Sequence, residues 1–217
     1  MDGRKKRMNQ LKILRYEVGQ LQANCYFVIH ENYCLIFDPG DSADFLLEEI
    51  QRKRLNVLAL FASHGHFDHV MAAGEIQAAL NIPFYIAKED LFLLKRAGET
   101  ARYFLGHEPH VVPPKETKDL REGGFKIDDL RFRIIRTPGH TPGARCFYFK
   151  SEKALFTGDT LFKNAIGRYD FSYSSKKDLT HSIKRLYQLP EETVVYPGHG
   201  EKTTIGVEKG RGIIENL

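Results

Sequence analysis

Apolar positions along the chain come in short blocks of strand length, broken by turn residues, before any longer helical spacing sets in. Residues 11–18 and 23–29 read as strands, and residues 33–37 continue the pattern after His30-Glu31-Asn32, so the chain is predicted to open as a β-meander. Asp38-Pro39-Gly40 ends the third block, and Asp41 or Ser42 is placed to cap a helix running towards Arg54. Residues 56–62 form an apolar block like a buried strand, residues 70–80 have helical spacing, residues 83–87 make a short strand and residues 89–96 a short helix. From 98 to 114 the segment carries Gly106, His107, Pro109, His110, Pro113 and Pro114, a loop-like composition of the kind that covers a binding site. The second half is again strand-rich, with a turn at 121–124, strands at 125–127, 130–136, 144–149 and 154–156, and an amphipathic helix at 176–189. Ser174 or Ser175 caps that helix and Pro190 stops it.

Composition narrows the class. The 217 residues are 42% hydrophobic, enough to bury a core as one domain over residues 11–217. The apolar runs are too short and too interrupted by charge for a membrane span, and the N-terminus lacks the apolar centre of a signal peptide, so the chain reads as soluble and cytoplasmic. Its formal charge of +4 does not point to nucleic acid, because Asp2, Arg4, Lys5, Lys6 and Arg7 alone carry +3. Residues 1–10 are therefore expected to form a basic, flexible tail. Cys25, Cys34 and Cys146 lack a close CxxC pair and fit reduced, strand-buried thiols.

The chemistry concentrates in Ser63-His64-Gly65-His66-Phe67-Asp68-His69. Four metal-capable side chains fall in six residues, at a spacing that neither a helix nor a strand would bring to one face. A convergent site needs a turn, and Gly65 makes one accessible between the strand before it and the helix after it. Three further punctuations come directly after β-rich runs: Thr137-Pro138-Gly139-His140, Thr157-Gly158-Asp159-Thr160 and Tyr196-Pro197-Gly198-His199. Each places a His or Asp just beyond a strand end, where catalytic groups commonly sit. The echo between the halves suggests two β layers meeting at a shared edge. Asp38 is either a turn carboxylate or the partner that fixes a ligating histidine, while His107, His110 and His181 read as surface residues.

The His64-x-His66-x-Asp68-His69 motif, His140 in Pro-Gly-His-Thr-Pro-Gly, Asp159 in Thr-Gly-Asp-Thr-Leu-Phe and His199 in Pro-Gly-His-Gly resemble the motif set of the metallo-β-lactamase-fold hydrolases. The closest likeness is to the glyoxalase II (hydroxyacylglutathione hydrolase) branch, over about residues 12 to 205. The resemblance implies an α/β (α+β) fold, an αββα sandwich with the site at one edge of the two sheets. It also implies two divalent metal ions, zinc expected first and iron or manganese compatible. His64, His66 and His140 would hold one, Asp68, His69 and His199 the other, with Asp159 between them; Asp68, Asp159 and His199 are the expected catalytic positions. Two cations against two carboxylates and one hydroxide leave a net positive site, suited to an acyl oxygen, with the hydroxide as nucleophile.

The implied reaction is hydrolysis of a small thioester such as S-lactoylglutathione. The persulfide dioxygenases, lactonases and phosphodiesterases of the same superfamily are the alternatives. The C-terminal helical domain of two-domain glyoxalase II enzymes is not expected, because the chain ends shortly after His199. Gly167-Arg168-Tyr169-Asp170 resembles the Gly-Arg-x-Asp segment of the single-domain proteins, which makes Arg168 and Tyr169 the candidate substrate contacts; an ordinary Arg168–Asp170 salt bridge is the competing reading. The expected partner is a small molecule, without nucleic acid or membrane.

Overall fold

A computed structural model describes residues 11–216, excepting the side chains of the last two, so the basic tail expected at residues 1–10 lies outside the described residues. One sheet contains β1 (Lys12–Val18), β2 (Ala23–His30), β3 (Tyr33–Phe37), β4 (Asn56–Phe61), β5 (Phe84–Ile86) and β6 (Lys118–Asp119), side by side in that order. The first three are the expected meander, and β3 to β6 then run parallel, the hairpin register setting Lys12 against Ile29 and Val18 against Ala23. The second sheet contains β7 (Gly123–Ile127), β8 (Leu130–Arg136), β9 (Arg145–Phe149) and β10 (Ala154–Gly158). After the small β11 (Leu161–Phe162) and β12 (Ala165–Ile166) ribbon, β13 (Val194–Pro197) and β14 (Thr203–Thr204) complete it beyond β10.

The helices are α1 (Ala43–Arg52), α2 (Phe67–Val70), α3 (Ala73–Leu80), α4 (Leu91–Lys95), α5 (Ala97–Leu105), α6 (Lys176–Leu186) and α7 (Ile205–Gly210). Three cores separate four layers. Outside the first sheet, Cys25, Phe27, Cys34, Ile36 and Leu60 meet Leu46 and Ile50 of α1 and Ile76 of α3. Between the sheets, Tyr26, Val28, Leu35, Phe37 and Phe61 meet Phe132, Ile134, Phe147, Phe149 and Phe156. Outside the second, Cys146, Tyr148, Leu155 and Val195 meet Leu179, Ile183 and Leu186 of α6. Both faces of β2 are covered, so its side chains serve two cores in alternation and the strand reads as a continuous apolar run. This is the αββα sandwich, and the three cysteines lie buried in it as free thiols.

Several local expectations change. The 98–114 segment begins as helix: Ala97 and Ala101, four apart, are buried, and Gly106 ends the helix at φ 75. The loop composition therefore applies only to the residues beyond α5. The helical spacing at 70–80 divides into α2 and α3, and the helix expected at 89–96 is a 3-10 turn at Lys88–Asp90 leading into α4. Ser42 precedes α1 in the left-handed region with no side-chain cap bond, its N–H donating to the Asp41 carboxylate instead. For α6 the expected cap is present, Ser175 Oγ accepting from Asp178 N. No helix among the described residues is long and apolar enough to cross a membrane.

One edge of the sandwich is tied across the sheets. Asn24 N donates to Gly198 O at 2.7 Å, and the Asn24 amide and Tyr26 hydroxyl both donate to Pro197 O. The loops after β4, β8, β10 and β13 meet at this edge.

Candidate metal centre

The loop after β4 carries His64 and His66, and the first turn of α2 carries Asp68 and His69. Gly65 is required for a reason other than a left-handed turn: a Cβ there would stand 2.7 Å from the Asp90 carbonyl oxygen. Gly158, just before Asp159, does need its freedom, with φ +48 and an added Cβ 2.2 Å from Ser63 Oγ. His140, Asp159 and His199 arrive from three separate strand ends.

The seven side chains form interlocking sets. The donor atoms of His64, His66 and His140 lie within 4.8 Å of one another, as do those of His64, His69 and Asp159, and those of Asp68, His69 and His199. His66 Nδ1 is 3.0 Å from His64 Nε2 and 3.0 Å from His140 Nε2. In the other trio His199 Nε2 is 3.2 Å from Asp68 Oδ2 and 3.3 Å from His69 Nε2. Asp159 reaches both, with Oδ2 3.6 Å from His140 Nε2 and Oδ1 3.4 Å from His69 Nε2.

Outer partners fix which nitrogen faces inward. His140 Nδ1 lies 2.8 Å from the Arg168 carbonyl and His199 Nδ1 lies 3.1 Å from the Leu21 carbonyl. A carbonyl only accepts, so both Nδ1 atoms carry hydrogen and both Nε2 atoms turn inward. His64 Nδ1 contacts Ser63 Oγ at 3.0 Å, and His66 Nε2 contacts the Tyr173 hydroxyl at 2.8 Å. Asp38 resolves as a partner of the site: its Oδ1 accepts from Ser63 N at 2.6 Å, and its Oδ2 stands 3.3 Å from His69 Nδ1. That second approach is off hydrogen-bond geometry. His69 Nδ1 and Asp159 Oδ1 are both buried without a hydrogen-bond partner.

Electrostatics divide the rings: His64 and His66 are held neutral, whereas His69 is drawn towards charge by the carboxylates beside it. Burial, reinforced by the neighbouring histidines, holds His64 well below the usual imidazole range and pushes His66 down to about 3. Burial also opposes charge on His69, but Asp68 and Asp159 outweigh it and raise that ring well above its ordinary value. Asp159 shows the converse: burial disfavours its carboxylate, and the His69 charge beside it nevertheless holds it well below the usual range. Lone pairs converging at 3.0 Å, two orphaned buried polar atoms and a mixed nitrogen and oxygen donor set fit divalent cations.

A cavity of about 270 Å³ opens onto the cluster, lined by His66, Asp68, His140, Asp159 and His199 together with Leu21, Phe67, Thr100, Phe104, Arg168, Phe171 and Tyr173. Arg168 is in the wall, but its guanidinium forms two 2.7 Å contacts with the Asp170 carboxylate and lies 4.2 Å from the Phe171 ring centre. Tyr169 is not among the lining residues; its ring lies 5.6 Å from Lys176 Nζ. The tyrosine of the wall is Tyr173. His107 and His110 stay outside the cluster, His107 contacting Gln20 at 3.0 Å, and His181 is exposed.

Sequence reasoning missed Asp90, which is fully buried and ties the two ligand loops together. Its Oδ2 accepts from Gly65 N at 2.9 Å and Thr141 Oγ1 at 2.7 Å, and its Oδ1 accepts from Gly143 N at 2.6 Å. Burial pushes its carboxyl above the ordinary range despite these donors. Standing in the charged run Lys88-Glu89-Asp90, it gave no sequence signal of this role.

Fold, site and sequence agree on a class: the chain belongs to the metallo-beta-lactamase superfamily, which it matches over residues 18–199. The hydroxyacylglutathione hydrolase GloC of Haemophilus influenzae is 35% identical, the match covering 88% of this chain and 92% of that protein. The probable metallo-hydrolase YqgX of Bacillus subtilis is 34% identical over 92% of this chain and 95% of its own. Among solved structures, TTHA1623 in a di-iron-bound form superimposes with a TM-score of 0.84 at 38% identity, covering 90% of this chain and 96% of that one.

Proposed function

We propose that the protein is a dinuclear metal-dependent hydrolase of small thioesters, with S-lactoylglutathione as the first substrate to try. The observation that carries this reading is the pair of donor trios with Asp159 in contact with both. His64, His66 and His140 would hold one cation, Asp68, His69 and His199 the second, and Asp159 would lie between them. The cations would supply Lewis acidity and a water acidified to a pKa of around 7. The Arg168 and Leu21 carbonyls, Ser63 and Tyr173 orient the rings, and Asp38 and Asp90 hold the backbone of the His64–His66 loop.

Thioesters suit the remaining wall. Outside the seven donor residues, the described lining contains no carboxylic acid and no imidazole to protonate a leaving group. Its Tyr173 hydroxyl is engaged with His66, and burial pushes it up to about 12. A departing thiolate, with a conjugate-acid pKa near 8.5, leaves without such a donor, whereas an amine does not. The relationship to GloC supports the same substrate class.

The test is thiol release from S-lactoylglutathione by protein loaded with two divalent cations per chain. Expected is turnover that chelation abolishes and metal restores. No turnover of S-lactoylglutathione or of simpler thioesters at full loading would sink the thioesterase assignment. Oxygen uptake with a persulfide at one iron per chain would replace it with the dioxygenase reading.

A further inference from the structure

The residues around the cavity mouth show a preference that the donor cluster does not. Seven large hydrophobic side chains are exposed among the described residues, and four gather at this opening: Leu21, Phe92, Tyr103 and Phe104. Leu21 and Phe104 line the cavity, Phe92 packs edge-on against Tyr173, and Tyr103 packs edge-on against Phe104. Single exposed apolar residues are ordinary on a surface, but a contiguous group rimming a cavity marks a place where something apolar binds.

The segment that supplies much of this rim is α5, the helix that replaced the expected loop. Ala97 and Ala101 face the core beneath it, while Thr100 and Phe104, also four apart, line the cavity. Phe104 stacks on Phe67 at a centroid distance of 5.9 Å with an interplanar angle of 19°, and Phe67 directly precedes Asp68. Elsewhere in the lining Phe171 and Tyr173 stack at 5.3 Å, and Phe171 stands 5.2 Å from the His66 ring. Apolar and aromatic side chains thus line the cavity that opens onto the donor cluster.

The charges point the same way. Arg168 is the one Lys or Arg among the described lining residues, and it is already held by Asp170 through both carboxylate oxygens. Arg96, whose charge acts on Tyr173, is held in the same manner by Glu99. A wall built for a thiol carrier with several carboxylates would present free cations.

Resting on the thioesterase reading, we propose that this site selects thioesters by an apolar acyl group, of about butanoyl to hexanoyl size, lodged against the Leu21, Phe104, Phe171 and Tyr173 side chains of the cavity. Moving one methylene from water into such a wall tightens binding roughly fourfold. Even partial burial of the four extra methylenes of hexanoyl over acetyl therefore gives about tenfold or more.

The experiment uses the full-length, metal-loaded protein and N-acetylcysteamine thioesters of acetate, butanoate and hexanoate. Expected is a kcat/KM that rises at least about tenfold from acetyl to hexanoyl. Leu21→Ala and Phe104→Ala should reduce that ratio, and Val207→Ala, an exposed apolar residue outside this rim, should leave it unchanged. Calorimetry with the non-hydrolysable ketone analogues, methylene replacing sulfur, reads the same preference without turnover. A flat acyl series, equal binding of the short and long ketones, or S-lactoylglutathione exceeding the hexanoyl thioester would each overturn the proposal. Tighter binding of the long ketone with no thioester hydrolysed would overturn the thioesterase reading and leave the apolar subsite standing.

Discussion

The two sheets contribute to the centre in different ways. The first supplies His64, His66, Asp68 and His69 from one short segment after β4, so their relative placement is largely a matter of local backbone. The second supplies His140, Asp159 and His199 singly, from three strand ends that only the assembled sheet brings together. Neither half holds a complete site: His140 completes the trio of His64 and His66, and His199 completes that of Asp68 and His69. On the proposed reading, cation binding would report on how the sheets are docked, and a cation joined to both halves would stabilise that docking by binding only the folded chain.

The largest expected effect comes from removing the residue that touches both trios. Asp159→Ala should lower turnover by about 10³-fold and bring metal content below two per chain, with far-ultraviolet circular dichroism retained. Activity within tenfold of the parent would mean that the halves operate without a shared ligand. Asp90→Ala comes next, because it unties the β4 loop from the β8 loop and leaves three buried donors unpaired. The chain should lose about 3–5 kcal/mol in denaturant titration, with weaker metal binding alongside. Loss of stability alone would make Asp90 a packing residue with no hold on ligand placement.

Tyr173→Phe removes only the hydroxyl that orients His66 from the second half of the chain. Metal affinity should fall about tenfold, read by competition with a chromophoric chelator, while the unfolding midpoint of the metal-free protein barely moves. The smallest effect belongs to a group far from the centre. Glu49 on α1 accepts from the Tyr16 hydroxyl at 2.7 Å and pairs with Arg52, and these contacts bring its carboxyl down to about 2. A folded-state value below the unfolded one, about 4.3, means stability that is full above pH 4.3 and lost as pH falls through about 2. Glu49→Gln should then be about 1 kcal/mol less stable at pH 7, with the gap to the parent closing across that acid window and turnover at pH 7 unaffected. A turnover defect would show that α1 helps to position the first half of the site.

The meander, the β4 strand, the capped α6 and the His64–His69 cluster were legible in the sequence, because periodicity, capping and a tight metal-type spacing are local properties. Three things were decided only by the folded chain. The 97–105 segment is helical because Ala97 and Ala101 find a core to pack against, which its glycines and the prolines after it conceal. Arg168 is turned to Asp170 rather than left free, a choice between substrate contact and salt bridge that the sequence left open. Asp90 meets the backbone of Gly65 and Gly143, and Tyr173 meets His66, only when the sheet edges come together, and a single sequence carries no record of contacts over such separations. The sequence by itself determined which groups could bind metal, since side-chain chemistry alone sets that capacity. Tertiary structure decided which atoms face inward, because each ring is oriented by a carbonyl or hydroxyl contributed from elsewhere in the chain.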